Sequence, residues 1–584
     1  MDDFLLQVKR PGQYIGEEWN ICHKDSNQAD IKFALCFPDL YEIGMSNLGV
    51  RIIYDLLNKK SGVACERFFH PDKDLENILR TQGLGISSLE SGKKICEFDI
   101  VGFSLGFELC YTNVLNMLNL GALPLEASSR GNDVPLIIGG GPCVANPEPI
   151  HAFFDLFLIG EAEEALPELI NLYAVFKQRY KQNKISKLEL LVELSKIEGI
   201  YAPNLYNVTH NKDGHILEFR PRMEGVRPTI KKRFVARLDP GDFPVKWLVP
   251  YIPIIHDRIT LEIARGCPNN CRFCQSRNFY FPYRERKAEE VINLAESSYK
   301  NTGYEELSLV GLSTSDHRNM EVILRDVVGR FKDRGVSVSL PSIKPNQAVG
   351  EFSQLLASIK KTGLTFAPEA ATVDLRKILN KNFDETAFFD SLLEAFGNGY
   401  RHVKLYFMIG LPLEEMADVD KIVEFCDHVS CLRKKISKGK AFVNVSVNNM
   451  IPKPHTPFQW FAMQDALTLG EKQLRIKKGN YNPNLKFSFH NLQMSFLEAI
   501  LSRGDRRLSK VILQAYNTGA RFDAWNESFN FEKWLSAFNA CGIKPEFYIR
   551  EIGRQELLPW DFIDIGVDKK LLLKEFEDIR GLRN

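Results

Sequence analysis

Two stretches of this 584-residue chain alternate short apolar runs with amphipathic segments, and this alternation restricts the possible folds most strongly. The first stretch contains the runs IKFALCF, FDIVGFSLGF, VPLIIGGGP and FDLFLIGE. The second contains RITLEIARGCP, LSLVGLS, VSVSLPS, GLTFAPEA, HVKLYFMIGLP and FVNVSVNNMIPKP. Apolar strands that alternate with helices predict parallel sheets covered on both faces.

The predicted architecture is α/β with four parts. We expect an N-terminal doubly wound domain over residues 1–180, a connector over 181–245, a (β/α)6 partial barrel over 246–470 and a small C-terminal α+β unit over 471–584. In both kinds of sheet, ligands bind at the carboxyl ends of the strands. The loops after the strands are therefore the places where a site is expected.

The composition excludes several classes of protein. Hydrophobic residues make up 44% and charged residues 26% of the chain, as in globular proteins. The formal net charge of +1 argues against a whole-molecule electrostatic grip on nucleic acid. The start, MDDFLLQVKRPGQ, lacks the pattern of a signal peptide, and no apolar window reaches the ~18 residues of a membrane span. We expect a cytoplasmic protein that makes no membrane contact.

Three of the twelve cysteines are clustered, in the stretch CPNNCRFC that directly follows the first strand of the second array: Cys267, Cys271 and Cys274. A zinc site would need a fourth ligand, such as His317 or His455. A disulfide is disfavoured in a reducing compartment. An iron–sulfur cluster on three thiolates leaves one iron open to an external ligand. The cluster is favoured over zinc because Gly266 and Pro268 let the backbone wrap closely.

The CxxxCxxC spacing, with the aromatic Phe273 before the last cysteine and six βα units around it, resembles the radical S-adenosylmethionine (SAM) superfamily. The resemblance implies that the three thiolates hold a 4Fe-4S cluster and that SAM chelates the fourth iron. It implies reductive cleavage of SAM to a 5′-deoxyadenosyl radical that abstracts hydrogen from a substrate. It also implies an electron donor of the flavodoxin or ferredoxin type.

The same resemblance suggests residues that contact SAM. LVGLSTSDH stands where the family commonly has a GGE stretch, so backbone and hydroxyl groups there would replace it. In GLTFAPEAAT the acid either meets SAM or caps the next helix, and in KLYFMIGLPLEE the lysine either pairs with the SAM carboxylate or is solvated. The implied cofactor-binding residues, besides Phe273, are Gly311, Ser313, Thr314, Ser315, Glu369, Lys404, Gly410 and Pro412.

A doubly wound domain before such a barrel resembles the cobalamin-binding members of the superfamily. The implied corrinoid contacts lie in FPDLYEIG, SLGF and IGGGPC: Asp39, Tyr41, Gly44, Ser104, Gly139, Gly140 and Gly141. The glycines either admit a flat macrocycle or form a sharp turn after the strand. Tyr41 occupies the histidine position of the DxHxxG motif, and a neutral phenol is a poor cobalt ligand. We therefore expect cobalamin without a histidine ligand.

The C-terminal stretches SFLEAILSRGDRRL, GARFDAW and LPWDF look like the tail of an uncharacterised branch of these proteins. Arg503, Arg506 and Arg507 lie close together in the first stretch. Guanidinium groups suit phosphate or carboxylate recognition, so these arginines form either a substrate anchor or an ion-paired helix end.

The expected function is that of a radical SAM enzyme, a cobalamin-dependent methyltransferase that acts on an unactivated carbon. One alternative is radical thiolation or rearrangement of RNA or a small molecule without cobalamin. Another is a redox sensor with a structural cluster. The sequence leaves RNA, peptides and small molecules open as substrates.

Overall fold

The computed structural model describes residues 2–25, 27–340 and 364–582. Its first sheet contains β1 (Ile31–Phe37), β2 (Val63–Phe69), β3 (Ile100–Ser104), β4 (Leu136–Gly140), β5 (Leu156–Leu158) and β6 (Ile200–Tyr201). The strand order is β2-β1-β3-β4-β5-β6, and only the pair β5–β6 is antiparallel. The order reverses between β1 and β3, which is the point where doubly wound sheets bind ligands.

The helices of this region connect and cover the strands. They are α1 (Asp2–Leu5), α2 (Tyr41–Met45), α3 (Leu48–Lys59), α4 (Lys73–Gln82), α5 (Tyr111–Leu120), α6 (Ala162–Lys181) and α7 (Lys187–Leu194). Asn47 begins α3 by accepting a hydrogen bond from the Val50 amide, as an N-cap residue does. The predicted doubly wound fold is confirmed here.

The edge strand β2 did not appear in the apolar pattern. Its centre is Glu66-Arg67, and both side chains are buried. Arg67 binds Glu18 at 2.7 Å and Glu90 at 2.6 Å, while Glu66 accepts a hydrogen bond from the Ser88 hydroxyl. These charged residues interrupt the apolar pattern of β2 in the sequence. The strand is nevertheless buried, because its charges are paired inside the protein.

The connector contains short antiparallel and bridging strands. These are β7 (Tyr206–His210), β8 (Ile216–Pro221) and β9 (Ile230–Lys231). The first two pair as a hairpin.

The central strands are β10 (Ile259–Glu262), β11 (Ala264–Arg265), β12 (Arg284–Glu285), β13 (Glu306–Val310), β14 (Ser337–Ser339), β15 (Leu364–Glu369), β16 (His402–Ile409), β17 (Phe442–Asn449) and β18 (Leu485–Phe489). Seven of these nine described strands lie in two parallel sheets, in the orders β10-β13-β14 and β15-β16-β17-β18, while β11 and β12 pair with each other in antiparallel fashion. The six predicted barrel strands are confirmed, except that the end of the third, from residue 341, lies outside the described residues. The seventh strand, β18, pairs with β17 beyond the predicted boundary at residue 470.

Helices separate the central strands as expected for a βα array. They are α8 (Gln275–Phe279), α9 (Ala288–Thr302), α10 (Met320–Phe331), α11 (Val373–Leu379), α12 (Glu385–Gly397), α13 (Met416–Leu432) and α14 (Ala466–Gly479).

The C-terminal residues pack against both earlier regions. They form α15 (Leu492–Arg503), α16 (Leu508–Asn517), α17 (Phe531–Ala540), α18 (Glu546–Ile549), β19 (Ile563–Asp564) and α19 (Lys569–Gly581). Leu497, Ile512 and Trp534 belong to the same apolar core as the N-terminal sheet, and β19 pairs with β9. The predicted domain boundaries stay a prediction. Among the described helices, none has the length and apolar character needed to cross a membrane.

Candidate functional site: the cysteine loop and the interdomain cavity

The cysteine loop lies between the end of β11 and the start of α8. Gly266 has φ +79°, and a Cβ at this position would stand 2.7 Å from the Tyr280 carbonyl oxygen, so the turn requires glycine. Cys267, Cys271 and Cys274 are all free and partly buried. Burial raises the pKa of the Cys271 thiol to about 11, against the opposing effect of Lys381. A bound metal cluster ionises such thiols, so this donor set fits a cluster.

The zinc alternative fails on the position of its fourth ligand. His317 Nε2 donates to the Arg286 carbonyl at 2.9 Å, and its Nδ1 accepts from the Asn319 amide. His455 Nε2 donates to the Ala145 carbonyl at 2.9 Å, and burial lowers its pKa to about 4. Within the described residues, no three His, Cys, Asp or Glu side chains are grouped to hold one metal ion. A four-iron cluster places each thiolate on a different iron and needs no such close group.

Asn269 ties the cysteine loop to the loop after β13. Its Nδ2 donates to Asp316 Oδ2 at 2.6 Å and approaches Cys267 Sγ at 3.4 Å. The predicted SAM contact Ser313 donates to the same Asp316 oxygen at 2.7 Å. The structure therefore links Ser313 to Cys267 through Asn269 and Asp316.

Glu369 lies at the end of β15, next to the cysteine loop. Its backbone has φ +65°, which is strained for a side chain of this size. The Lys381 ammonium lies 3.0 Å from Glu369 Oε1 and 5.7 Å from the centre of the Phe273 ring. Burial raises the pKa of Glu369 in spite of Lys381. Glu369, Lys381 and Phe273 thus form one group beside Cys271.

The turn after β16 is held by a buried ion pair. Gly410 has φ +81°, and its amide donates to Glu414 Oε2 at 2.7 Å. Glu414 and Lys472 form an ion pair in which the side chains are 1% and 2% exposed. Pro412, the other predicted contact here, is buried. The turn that was predicted to contact SAM is therefore held in place by Lys472 of α14.

A cavity of about 530 Å³ lies between the N-terminal sheet and the cysteine loop. The side of the N-terminal sheet contributes residues of β1, β3 and β4 and the residues that follow them, including the predicted Ser104, Gly139, Gly140 and Gly141. The barrel contributes Gly266 and the predicted Gly311. The cavity therefore lies at the point where the strand order of the N-terminal sheet reverses. Its lining on the barrel side includes Gly266, the residue before Cys267.

One wall of this cavity is ionic, and the sequence did not indicate it. Arg265 binds Glu262 through two contacts of 2.9 Å and pairs with Glu163 at 2.7 Å. Glu161 is held by Arg284 at 2.7 Å. The sequence GEAEE after β5 was the available signal for this wall. It places three acidic residues at the carboxyl end of a strand, where ligands of such sheets bind.

The predicted corrinoid contacts in the loop after β1 do not reach the cavity. Tyr41 is buried and donates its hydroxyl to Glu18 Oε1 at 2.9 Å. Asp39 accepts from the Trp525 indole at 3.0 Å, and a side chain at Gly44 would strike the Phe69 ring. The motif folds into α2 because these side chains find partners in the protein interior.

Lys404 also lies apart from the site. It is exposed near the amino end of β16, with its ammonium 4.8 Å from the Tyr406 ring centre. Ser315 lies in the loop after β13, two residues beyond Ser313.

The C-terminal arginines bind protein groups. Arg503 is 2% exposed and donates to the carbonyls of Gln459, Phe461 and Arg550. Arg506 binds Glu148 at 2.7 Å. Arg507 pairs with Asp505 at 2.7 Å, so Arg506 and Arg507 agree with the ion-paired alternative, whereas Arg503 is held by backbone carbonyls.

A buried triad joins three regions near the site. Lys453, which follows β17, lies 2.8 Å from Glu108 and 2.9 Å from Glu498. Glu108 follows β3 and Glu498 lies on α15. Burial raises the pKa of Glu498, opposed by Lys453.

The fold and the site define the class of the protein: a three-thiolate metal centre on the first loop of a parallel βα array, preceded by a doubly wound domain. Residues 261–426 match the family model of the radical SAM superfamily, and residues 49–203 match that of the N-terminal region of radical SAM proteins. The chain is therefore a radical SAM enzyme. That family implies a 4Fe-4S cluster, SAM and a reductant.

Two relatives have related sequences. An uncharacterised protein of Methanocaldococcus jannaschii is 26% identical over 511 residues, which cover 87% of this chain and 97% of the relative. An uncharacterised methyltransferase of Pyrococcus horikoshii is 23% identical over 252 residues, which cover 42% of this chain and 51% of the relative.

Two solved structures are also similar at low identity. TsrM of Kitasatospora setae, with cobalamin and a [4Fe-4S] cluster bound, is 13% identical, and the match covers 71% of this chain and 74% of that one with a TM-score of 0.48. OxsB with aqua-cobalamin and SAM bound is 13% identical, and the match covers 95% and 79% with a TM-score of 0.47.

Proposed function

We propose that this radical SAM enzyme binds cobalamin in the interdomain cavity and methylates an unactivated carbon. The observation that carries the proposal is the position of the cavity. It begins at the switch point between β1 and β3 and ends at Gly266, beside the first cluster cysteine. A ligand held there would lie between the N-terminal sheet and the SAM site.

Two glycines of the cavity lining leave room for a large ligand to approach the backbone. A Cβ added at Gly106 would meet no protein atom within 4 Å, and one at Gly140 would meet its nearest atom at 3.9 Å. Side chains at these two lining positions would therefore enter the cavity. No histidine is among the residues that line it in the described part of the chain. This supports cobalamin without a histidine ligand, although Tyr41 does not occupy the expected place.

The residues of the chain have separate tasks in this proposal. The three cysteines hold the cluster, and Ser313, Glu369 and the Gly410 turn bind SAM. Bound cobalamin supplies a methyl carrier, and SAM supplies both the methyl group and the radical. The name of the Pyrococcus horikoshii relative gives independent support for methyl transfer. We also propose a flavodoxin or ferredoxin as the electron donor and a cytoplasmic location.

Anaerobic reconstitution tests the proposal. The protein is loaded with iron, sulfide and hydroxocobalamin and then desalted. We expect it to retain one corrinoid per chain, measured by visible absorption. With SAM and dithionite, we expect 5′-deoxyadenosine. A chain that releases 5′-deoxyadenosine but retains no corrinoid would point to cobalamin-independent radical chemistry.

The substrate is sought by comparing a deletion strain with its parent. Cells receive methionine labelled in its methyl group, and modified nucleosides, peptides and metabolites are compared by mass spectrometry. We expect one labelled methyl group on carbon that is absent from the deletion strain. Unchanged methylation with loss of a sulfur-bearing product would support thiolation instead.

A further inference from the structure

We infer that Glu163 selects the substituents of the molecule that enters the cavity, favouring carboxamides over carboxylates. The inference rests on the proposed function, since the molecule considered is a corrinoid. Glu163 lies in the first turn of α6, lines the cavity and is 8% exposed in its side chain.

The contacts of the ionic wall leave one acceptor available. Arg265 is occupied by both oxygens of Glu262, by Glu163 Oε1 at 2.7 Å and by Glu161 at 3.3 Å. Both oxygens of Glu161 are bound by Arg284, at 2.7 and 2.8 Å. Among the described residues, Glu163 Oε2 has no protein donor. This oxygen is therefore the acceptor that the wall can offer to a ligand.

The free oxygen of Glu163 gives the direction of the preference. The carboxylates of Glu161, Glu163 and Glu262 are paired with Arg265 and Arg284, and the Arg286 guanidinium also interacts with Glu163 and Glu262. An amide N–H of a ligand satisfies the free oxygen of Glu163. A ligand carboxylate would bring a like charge to a buried site and supply no donor, which is costly. The wall thus favours a corrinoid that carries amides.

The lining also has an apolar part that suits the ring of a corrinoid. It includes Phe33, Leu35 and Ile138, together with Gly106 and Gly140, which carry no side chain. In this inference the macrocycle packs on these residues, and its edge substituents meet the ionic wall. Ring binding and substituent selection are therefore done by different elements.

Two corrinoids separate these effects. Cobinamide carries the amide substituents, whereas cobyrinic acid carries carboxylates in their place. Reconstituted protein is titrated with each and binding is followed by visible absorption, without any assay of activity. We expect wild-type protein to prefer cobinamide and Glu163→Gln to reduce the preference about tenfold, because one buried charged contact is lost. Glu163→Asp keeps the charge and should keep the preference.

Glu164→Gln is the matched control, because Glu164 is the next residue, is exposed and pairs with Arg233 instead. It should leave the preference unchanged. An unchanged preference in Glu163→Gln overturns this inference but leaves the proposed function untouched. Equal affinity of the wild-type protein for the two corrinoids also overturns the inference. This second test applies even if the variants fail to fold. Failure of the wild-type protein to bind either corrinoid refutes the cobalamin part of the proposed function.

Discussion

At the residue scale, the proposed radical chemistry depends on Cys271, the middle thiol of the loop. Its replacement by alanine leaves two thiolates for three irons, and the cluster cannot be held. We expect Cys271→Ala to lose its bound iron and to form no 5′-deoxyadenosine with SAM and dithionite. Cys541→Ala is the control, because Cys541 is a free, partly buried cysteine at the end of α17. Persistent 5′-deoxyadenosine in Cys271→Ala would refute the cluster assignment.

Glu369 combines backbone strain with a buried charge, and this predicts a pH effect. Its pKa is raised by burial, so its contribution to stability is present at low pH and is lost as the pH rises through the raised pKa. The glutamine of Glu369→Gln does not ionise, so the variant does not lose stability in this way as the pH rises. We expect the variant to gain thermal stability relative to wild type as the pH rises, measured by unfolding midpoints.

The same variant tests the role of Glu369 toward SAM. If the carboxylate binds SAM, Glu369→Gln should weaken SAM binding about tenfold, measured by calorimetry on reconstituted protein. Asp374→Asn is the control, since the Asp374 side chain is 89% exposed on the neighbouring α11. Unchanged SAM affinity would show that Glu369 does not bind SAM and serves only as the partner of Lys381.

The residues that were predictable differ from the others in a physical way. The cysteines and Gly266 act through local spacing and backbone conformation, which a sequence displays directly. The direction of Tyr41 is not visible in the sequence, because its hydroxyl donates to Glu18, a partner from another segment. The wall residue Glu163 was not predicted for the same reason, since its partner Arg265 lies in a distant segment of the chain.

At the scale of elements, the turn after β16 depends on α14 through a buried ion pair. Lys472→Met would leave the Glu414 carboxyl group buried and without its cation. We expect a loss of about 3–5 kcal/mol in the free energy of unfolding and weaker SAM binding. The double variant Glu414→Gln/Lys472→Met removes both charges and should recover much of the stability. Denaturant unfolding and calorimetry measure the two effects.

The control for this pair lies on the same helix. Arg475 of α14 pairs with Asp420 at 2.6 Å, and both side chains are largely exposed. Surface pairs of this kind contribute little, so Arg475→Met should leave SAM affinity unchanged. An equally small effect of Lys472→Met would show that the ion pair does not hold the turn.

The turn after β3 allows a test of the cavity. Gly106 lines it without a positive φ, so a larger side chain can be placed there without backbone strain. We expect Gly106→Leu to fill the cavity and weaken hydroxocobalamin binding about ten- to hundredfold, while 5′-deoxyadenosine formation continues. Gly329→Leu, at an exposed open position on α10, is the control. Unchanged corrinoid binding in Gly106→Leu would place the corrinoid elsewhere.

Elements were predictable where one face or both faces are apolar. The strands β1, β3 and β4 are continuous apolar runs, and the sequence predicted them. The edge strand β2 was hidden by paired internal charges, and β18 by exposed residues that alternate with partly buried ones in LKFSF. Edge strands often carry charged or polar residues, and these interrupt the apolar pattern by which a strand is predicted.

At the scale of the whole molecule, the C-terminal residues complete the N-terminal core. Asn146 donates to the carbonyls of Ser502 and Gly504 at 3.0 and 2.8 Å, and Thr112 donates to Asp523 at 2.7 Å. With the apolar side chains of α15, α16 and α17, these bonds attach the end of the chain to its beginning. The alternation of strands and helices cannot show such a return, because contacts between distant segments leave no periodic pattern.

A chain that ends at residue 470, the predicted barrel boundary, tests this arrangement. It lacks β18, which completes the second barrel sheet, and the helices that cover the N-terminal core. Exposing that much apolar surface should make residues 1–470 aggregate and lose cluster binding, measured by sedimentation and iron content. Coexpression of residues 471–584 should restore part of the soluble, iron-loaded protein. A soluble 1–470 chain with its cluster and cooperative unfolding would show that the C-terminal residues form a separate unit, as the sequence pattern predicted.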